Sequence, residues 1–196
     1  MADQVNYIQY LKKMGKNRKF NRLSLQEQRK IIDCCIACGR EAAQAVRGDK
    51  GAPDREALWN LVRSYGLQIN VLDTKYDLPY IAEYTHRKRT ITLYARRIRQ
   101  MQDILAERHP SYFEKYDLVQ MCLAHELFHH LESMKNGTTG RIAGIPGKFL
   151  GIFPYRSWME EGSEIAAHSF VSALLDLAFN TYFFAEEMAA GFSEKQ

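Results

Sequence analysis

Apolar residues recur along the chain with two periods, and the switches between them outline the elements. Ser24-Leu25-Gln26-Glu27 reads as a capping box, in which side chain and backbone satisfy each other's orphan groups. It opens a helix to about Val46 that Gly48 and Gly51 stop. Asp54 opens a second helix, with Ala57, Leu58, Leu61 and Val62 at helical spacing, which ends near Gly66. Period two then takes over. Leu67 to Leu72, Pro79 to Thr85 and Thr90 to Ala95 are short β-branched or aromatic runs, and His86 to Arg89 reads as the hairpin tip between the last two.

The helical period returns over 96–108 and breaks at His109-Pro110. Ser111-Tyr112-Phe113-Glu114 reads as a second capping box, predicting a long helix to about Met134 that Asn136-Gly137 closes. Residues 137–156 carry five glycines and two prolines, which predicts an irregular connection able to serve as a lid or cleft wall. Ser157-Trp158-Met159-Glu160 predicts a third cap and one long helix to about Ala190. Residues 1–23 are polar and rich in Lys and Asn, so they read as a loosely attached arm before a single domain over 24–196. The expected fold is mostly helical α+β, with a small three-stranded twisted sheet packed on the helix that ends near Met134.

Composition changes this picture little. A chain of 196 residues with 46% hydrophobic content can bury a core. The net charge of +4 is too small, and too evenly spread, for direct nucleic-acid binding. No run approaches the roughly 20 apolar residues a membrane span needs, and the N-terminus lacks a continuous apolar stretch, so the expected location is the cytoplasm, without membrane contact. Cys34, Cys35 and Cys38 crowd one helix and Cys122 lies far off, which predicts structural thiols rather than a disulfide framework.

The chemistry concentrates in His125-Glu126-Leu127-Phe128-His129. Histidines four apart on a helix stack one turn above each other and can share one metal ion, while Glu126, about 100° round the helix, stands beside that ion as a general base. A third ligand is needed, and Glu160, Glu161 and Glu164 offer carboxylates on the next helix. Glu164 continues the apolar stripe of Ala167, Val171, Leu174, Leu175 and Ala178 that must face inward, which makes it the best assignment; Glu160 and Glu161 stay open. His168, one turn after Glu164, is a candidate for hydrogen-bonding a ligand or stabilising an oxyanion, and Tyr155 a candidate phenol donor. His130 reads as a solvated or helix-packing residue and Cys122 as a core thiol.

The run Glu164-Ile165-Ala166-Ala167-His168-Ser169-Phe170, followed by Leu174-Leu175, resembles the E-x-x-A-x-x-F pattern downstream of HExxH in the ImmA/IrrE family of metallopeptidases. Thr90-Ile91-Thr92-Leu93-Tyr94 is similar to that family's strand, and the resemblance spans about residues 67–178. Phe128 departs from it, standing where family members commonly carry glycine. The resemblance implies a zincin-like domain, zinc (Zn2+) held by His125, His129 and Glu164, Glu126 as catalytic base, and a protein or peptide substrate such as a DNA-binding transcriptional repressor. The alternative is a non-catalytic, zinc-stabilised protein that grips a regulator without cutting it. For substrate binding, the strand from Thr90 to Tyr94 is the expected sheet edge for an extended peptide.

Overall fold

The computed structural model describes residues 2–75, 80–113, 115–135, 137–149, 152–182 and 184. They form an α+β fold of helices α1 (Ala2–Met14), α2 (Leu25–Arg47), α3 (Arg55–Ser64), α4 (Ala95–Arg108), α5 (Leu118–Met134), α6 (Thr138–Ile142) and α7 (Glu160–Leu174), with strands β1 (Gln68–Leu72), β2 (Ala82–Thr85), β3 (Thr90–Tyr94), β4 (Ile145–Phe149) and β5 (Phe153–Ser157). The three-stranded sheet has the order β1-β3-β2, and its β2 and β3 pack on α5, as expected. β1 runs parallel to β3 and β2 antiparallel to it.

The expected edge strand is therefore the central one. β3 is paired on both sides and buried along its whole length, so it has no free edge to offer a peptide. The free edge beside α5 belongs to β2. Tyr94 N–H donates to the Ile81 carbonyl, and the antiparallel alternation from that bond turns the main-chain groups of Ala82 and Tyr84 away from β3.

The cap at Ser24 forms as read: its side chain accepts from Glu27 N–H and Glu27 caps Ser24 in return. The other two do not. After a 3-10 turn at Pro110–Phe113, α5 starts only at Leu118, because Asp117 and Gln120 make the capping box there; Glu114 lies outside the described residues. Ser157 ends β5 and donates to the Ile145 carbonyl, so α7 starts without a side-chain cap. The expected irregular connection instead folds into α6 and the β4–β5 hairpin. Trp158 pins it, lying over Gly137 and Gly140, where a Cβ would come within 2.5 Å and 2.8 Å of the indole.

Two apolar clusters hold these elements. In one, Leu123 and Leu127 of α5, Ile91 and Leu93 of β3, and Phe170 and Leu174 of α7 are fully or almost fully buried, each contributing about 1.5–3 kcal/mol. Phe128 joins this core against Phe170, its ring centre 5.4 Å away. The other cluster buries Tyr10, Met14 and Phe20 against Ile32, Cys35, Met159 and Ile165. The expected N-terminal arm is thus mostly a docked helix: Tyr7, Tyr10, Leu11 and Met14 recur at helical spacing within the polar stretch and pack on this cluster. All four cysteines are free thiols; burial pushes Cys35 and Cys122 up, and Cys38 up to about 11.

Gly39 sets the distance between α2 and α7, since a Cβ there would lie 2.1 Å from the Ala166 carbonyl oxygen. That close approach fixes the turns of α7 on either side of Ala166, and with them Glu164 and His168. α7 stops at Leu174 rather than near 190: Asp176 takes a left-handed backbone (φ 53°), which short polar side chains tolerate, and the chain turns back so that Thr181 reaches His168. Residues 185–190 of the expected helix lie outside the described residues. No helix among the described residues is long and apolar enough to cross a membrane.

Candidate metal centre

α5 and α7 meet with their histidines and carboxylates converging on the floor of a cleft of about 740 Å³, which β2 borders. His125 Nε2 and His129 Nε2 are 3.0 Å apart, which the four-residue spacing on one helix face allows. The Glu164 carboxylate bridges them, with Oε1 3.3 Å from His129 Nε2 and Oε2 3.6 Å from His125 Nε2. Three ligands at 2.0–2.1 Å from a tetrahedral ion stand about 3.3–3.4 Å apart, and the separations here, taken to the two oxygens of one carboxylate, lie close to that value. Of the three carboxylates on α7, Glu164 is thus the one beside the imidazoles; Glu160 is exposed and also lines the cleft.

The carboxylates and imidazoles shift one another's charge. Burial pushes the Glu164 carboxyl up, but hydrogen bonds and charge from His125 and His129 outweigh it and hold it well below the usual carboxylate range. Burial pulls His129 down, but the Glu132 and Glu164 carboxylates bring it up to about 10. In the absence of an ion, a proton on the His129 imidazole supplies positive charge to these carboxylates.

A supporting layer went unread in the sequence. His129 Nδ1 lies 3.4 Å from Ser163 Oγ and 3.8 Å from Glu132 Oε2, and Ser163 donates to that same carboxylate oxygen. This leaves Nε2 of His129 for the site, the usual arrangement of an imidazole ligand backed by a carboxylate. Glu132 sits three residues after His129, on the neighbouring turn, and that spacing was the available signal.

Glu126 is buried beside the imidazoles. Burial raises its carboxyl, His125 and His129 lower it, Glu164 raises it, and the Tyr84 backbone N–H, donating from the β2 edge, lowers it; the balance is upward. A carboxyl shifted that way is suited to taking and releasing a proton near neutral pH.

His168 also lines the cleft, buried to 7% exposure, its ring centre 4.7 Å from that of His125 and its Nδ1 2.9 Å from Thr181 Oγ1. His125, Glu164 and His168 offer donor atoms within 4.8 Å of one another. This looser triad shares two members with the tighter set of His125, His129 and Glu164. Burial, followed by the His125 charge, holds His168 well below the usual imidazole value, so it is neutral.

The remaining candidates stand elsewhere. Tyr155 is on β5, half exposed, its ring packed over Gly147 and topped by Lys19 Nζ at 5.8 Å, and it is not among the cleft's lining residues. Cross-strand pairing with Gly147 draws it there. His130 is buried rather than solvated and packs through Tyr84. Cys122 lines the cleft near His125. Comparison with protein-family models, with curated proteins and with solved structures finds no match, so these residues themselves carry the reading of the site.

Proposed function

We propose that the chain is a zinc-dependent endopeptidase in which His125, His129 and Glu164 hold the ion and Glu126 is the general base. One observation carries this: His125 Nε2, His129 Nε2 and the Glu164 carboxylate converge, with separations of 3.0 Å between the imidazoles and 3.3 and 3.6 Å from them to the two carboxylate oxygens, close to what ligands of one ion need, and a buried carboxyl of raised pKa stands alongside. Zinc supplies a lowered water pKa, toward about 7, and polarisation of a carbonyl. Glu126 takes the proton and passes it to the leaving amine, oriented meanwhile by the Tyr84 N–H. An extended peptide pairs with the outward main-chain groups of Ala82 on β2, over a cleft wall of Leu118, Met121 and Phe184.

The substrate is a protein or peptide, and by the resemblance to ImmA/IrrE metallopeptidases a cytoplasmic DNA-binding repressor or another regulatory protein is the class to try first. The rival is a zinc-stabilised protein that binds a regulator without cutting it; the observation in its favour is His168, which brings a further donor to the centre.

Glu126→Gln separates the two. With zinc retained, cleavage of a degenerate peptide pool read by mass spectrometry should fall about 10²- to 10⁴-fold. Cutting at the wild-type rate would remove Glu126 from the mechanism, and a folded wild type that takes up no zinc would end both readings. Ala82→Pro tests the peptide path, because an edge strand tolerates proline where its N–H faces away from the sheet; unchanged cleavage in that variant would exclude pairing at β2.

A further inference from the structure

His168 is one more histidine than a site of two imidazoles and a carboxylate requires. It lies one turn beyond Glu164 on the same face of α7. Its ring centre is 4.7 Å from that of His125, while the His129 ring centre is 4.8 Å from it, so the two flank His125 at nearly equal distance. A buried imidazole needs partners for both nitrogens. Thr181 Oγ1 serves Nδ1 at 2.9 Å, which leaves Nε2 as the nitrogen available to the cleft. The break after Leu174 is what returns Thr181 to that position.

We propose that His168 is a fourth protein ligand of the ion held by His125, His129 and Glu164, with Thr181 fixing its tautomer. The inference rests on the metal-centre reading above. With Thr181 accepting from Nδ1–H, Nε2 keeps its lone pair for the ion, within the group whose His125, Glu164 and His168 donor atoms lie within 4.8 Å of one another, as outer partners commonly arrange for ligating imidazoles. Four protein donors fill a tetrahedral shell, so the resting centre is closed. Peptide hydrolysis then requires His168 to turn aside or the coordination number to rise to five, and the Thr181 hydroxyl is the contact that holds His168 in place.

The full chain loaded with cobalt(II) tests this, since its visible bands change in intensity and position with the number and type of ligands. His168→Ala should alter those bands and lower zinc affinity by more than the roughly 10- to 100-fold that losing an outer partner costs. Added imidazole should restore the wild-type bands, which repair of a merely structural defect would not do. Thr181→Val keeps the imidazole and so guards against a folding defect at 168; its zinc affinity should fall about 10-fold. A folded His168→Ala with wild-type bands and affinity, beside a His129→Ala that has lost the metal, overturns the fourth ligand and leaves the three-ligand centre standing. If His168→Ala does not fold, unchanged affinity in Thr181→Val overturns it instead. A folded wild type that binds neither cobalt nor zinc overturns the centre itself.

Discussion

His129 and His130 are adjacent on α5, about 100° apart around its axis, and they meet different chemistry. His129 turns toward α7, where Ser163, Glu132 and Glu164 gather around it and the two carboxylates bring it up to about 10 against the pull of burial. His130 turns toward β2. It meets the Tyr84 hydroxyl at 2.8 Å and the edge of the Tyr65 ring, and burial, then the charges of Arg89 and His86, hold it below its ordinary value. Both are substantially buried, so burial does not distinguish the two positions; convergence of carboxylates does.

The sharpest break of that comparison would come from removing one partner on each side. Glu164→Ala should abolish near-stoichiometric zinc in tag-free protein measured by plasma mass spectrometry, whereas His130→Gln should keep it. Zinc retained in the first variant and lost in the second would mean that the ion, if held at all, sits on the sheet side of α5.

Glu132→Gln sharpens the same contrast one layer out. The amide keeps the volume but loses the charge behind His129, so zinc affinity should fall about 10- to 100-fold in competition with a chromophoric chelator. Unchanged affinity would reduce Glu132 to a hydrogen-bond acceptor for Ser163.

How much of this was readable depended on range. The i, i+4 histidines, the Ser24 cap and the three short strand runs are local patterns, and each is found close to where the pattern put it. Glu164 was readable because a carboxylate on an apolar stripe must find a partner. Glu132 and Ser163 were missed although the i+3 spacing from His129 was present. Strand order was not readable at all: β1 pairs directly with β3, skipping β2 in chain order, and nothing local distinguishes a central run from an edge run. The β4–β5 hairpin hid in Gly/Pro composition that reads equally as irregular loop, and the end of α7 hid in a continuing apolar period, because a left-handed Asp176 carries no hydrophobic signal. Polar spacing masked α1 for the reverse reason, its buried Tyr10 and Met14 being diluted by lysines.

The two histidines should also titrate against each other. In EDTA, His129 moves from 6.5 in the unfolded chain to about 10 in the folded one, so its contribution is fully present below pH 6.5 and is lost as pH rises through about 10. His130 has a lowered folded pKa, so the unfolded chain takes up that proton first and stability is lost as pH falls below 6.5. Melting temperature in EDTA should therefore decline on both sides of pH 6.5, and His130→Gln should make the acid limb shallower without moving the alkaline one, the rest of the acid limb belonging to His168, which burial also holds below its ordinary value. Zinc affinity should run opposite to the alkaline limb, rising with pH as the ligands shed protons. A flat alkaline limb in the metal-free protein would show that Glu132 and Glu164 do not clamp His129 as drawn.

The smallest effect belongs to Tyr84, which serves both histidine environments with different atoms. Its hydroxyl contacts His130 Nδ1 at 2.8 Å and the exposed His86 Nδ1 at 3.3 Å, while its backbone N–H supports Glu126. Tyr84→Phe removes only the hydroxyl. His86 can turn to water, so the cost is one hydrogen bond to the buried His130 ring, about 1 kcal/mol in denaturant unfolding. Zinc content and cleavage should stay unchanged, because the backbone donor survives. A loss of zinc or activity larger than the loss of stability would mean that the sheet side of α5 reaches the metal side through β2, and that the two histidines are not independent.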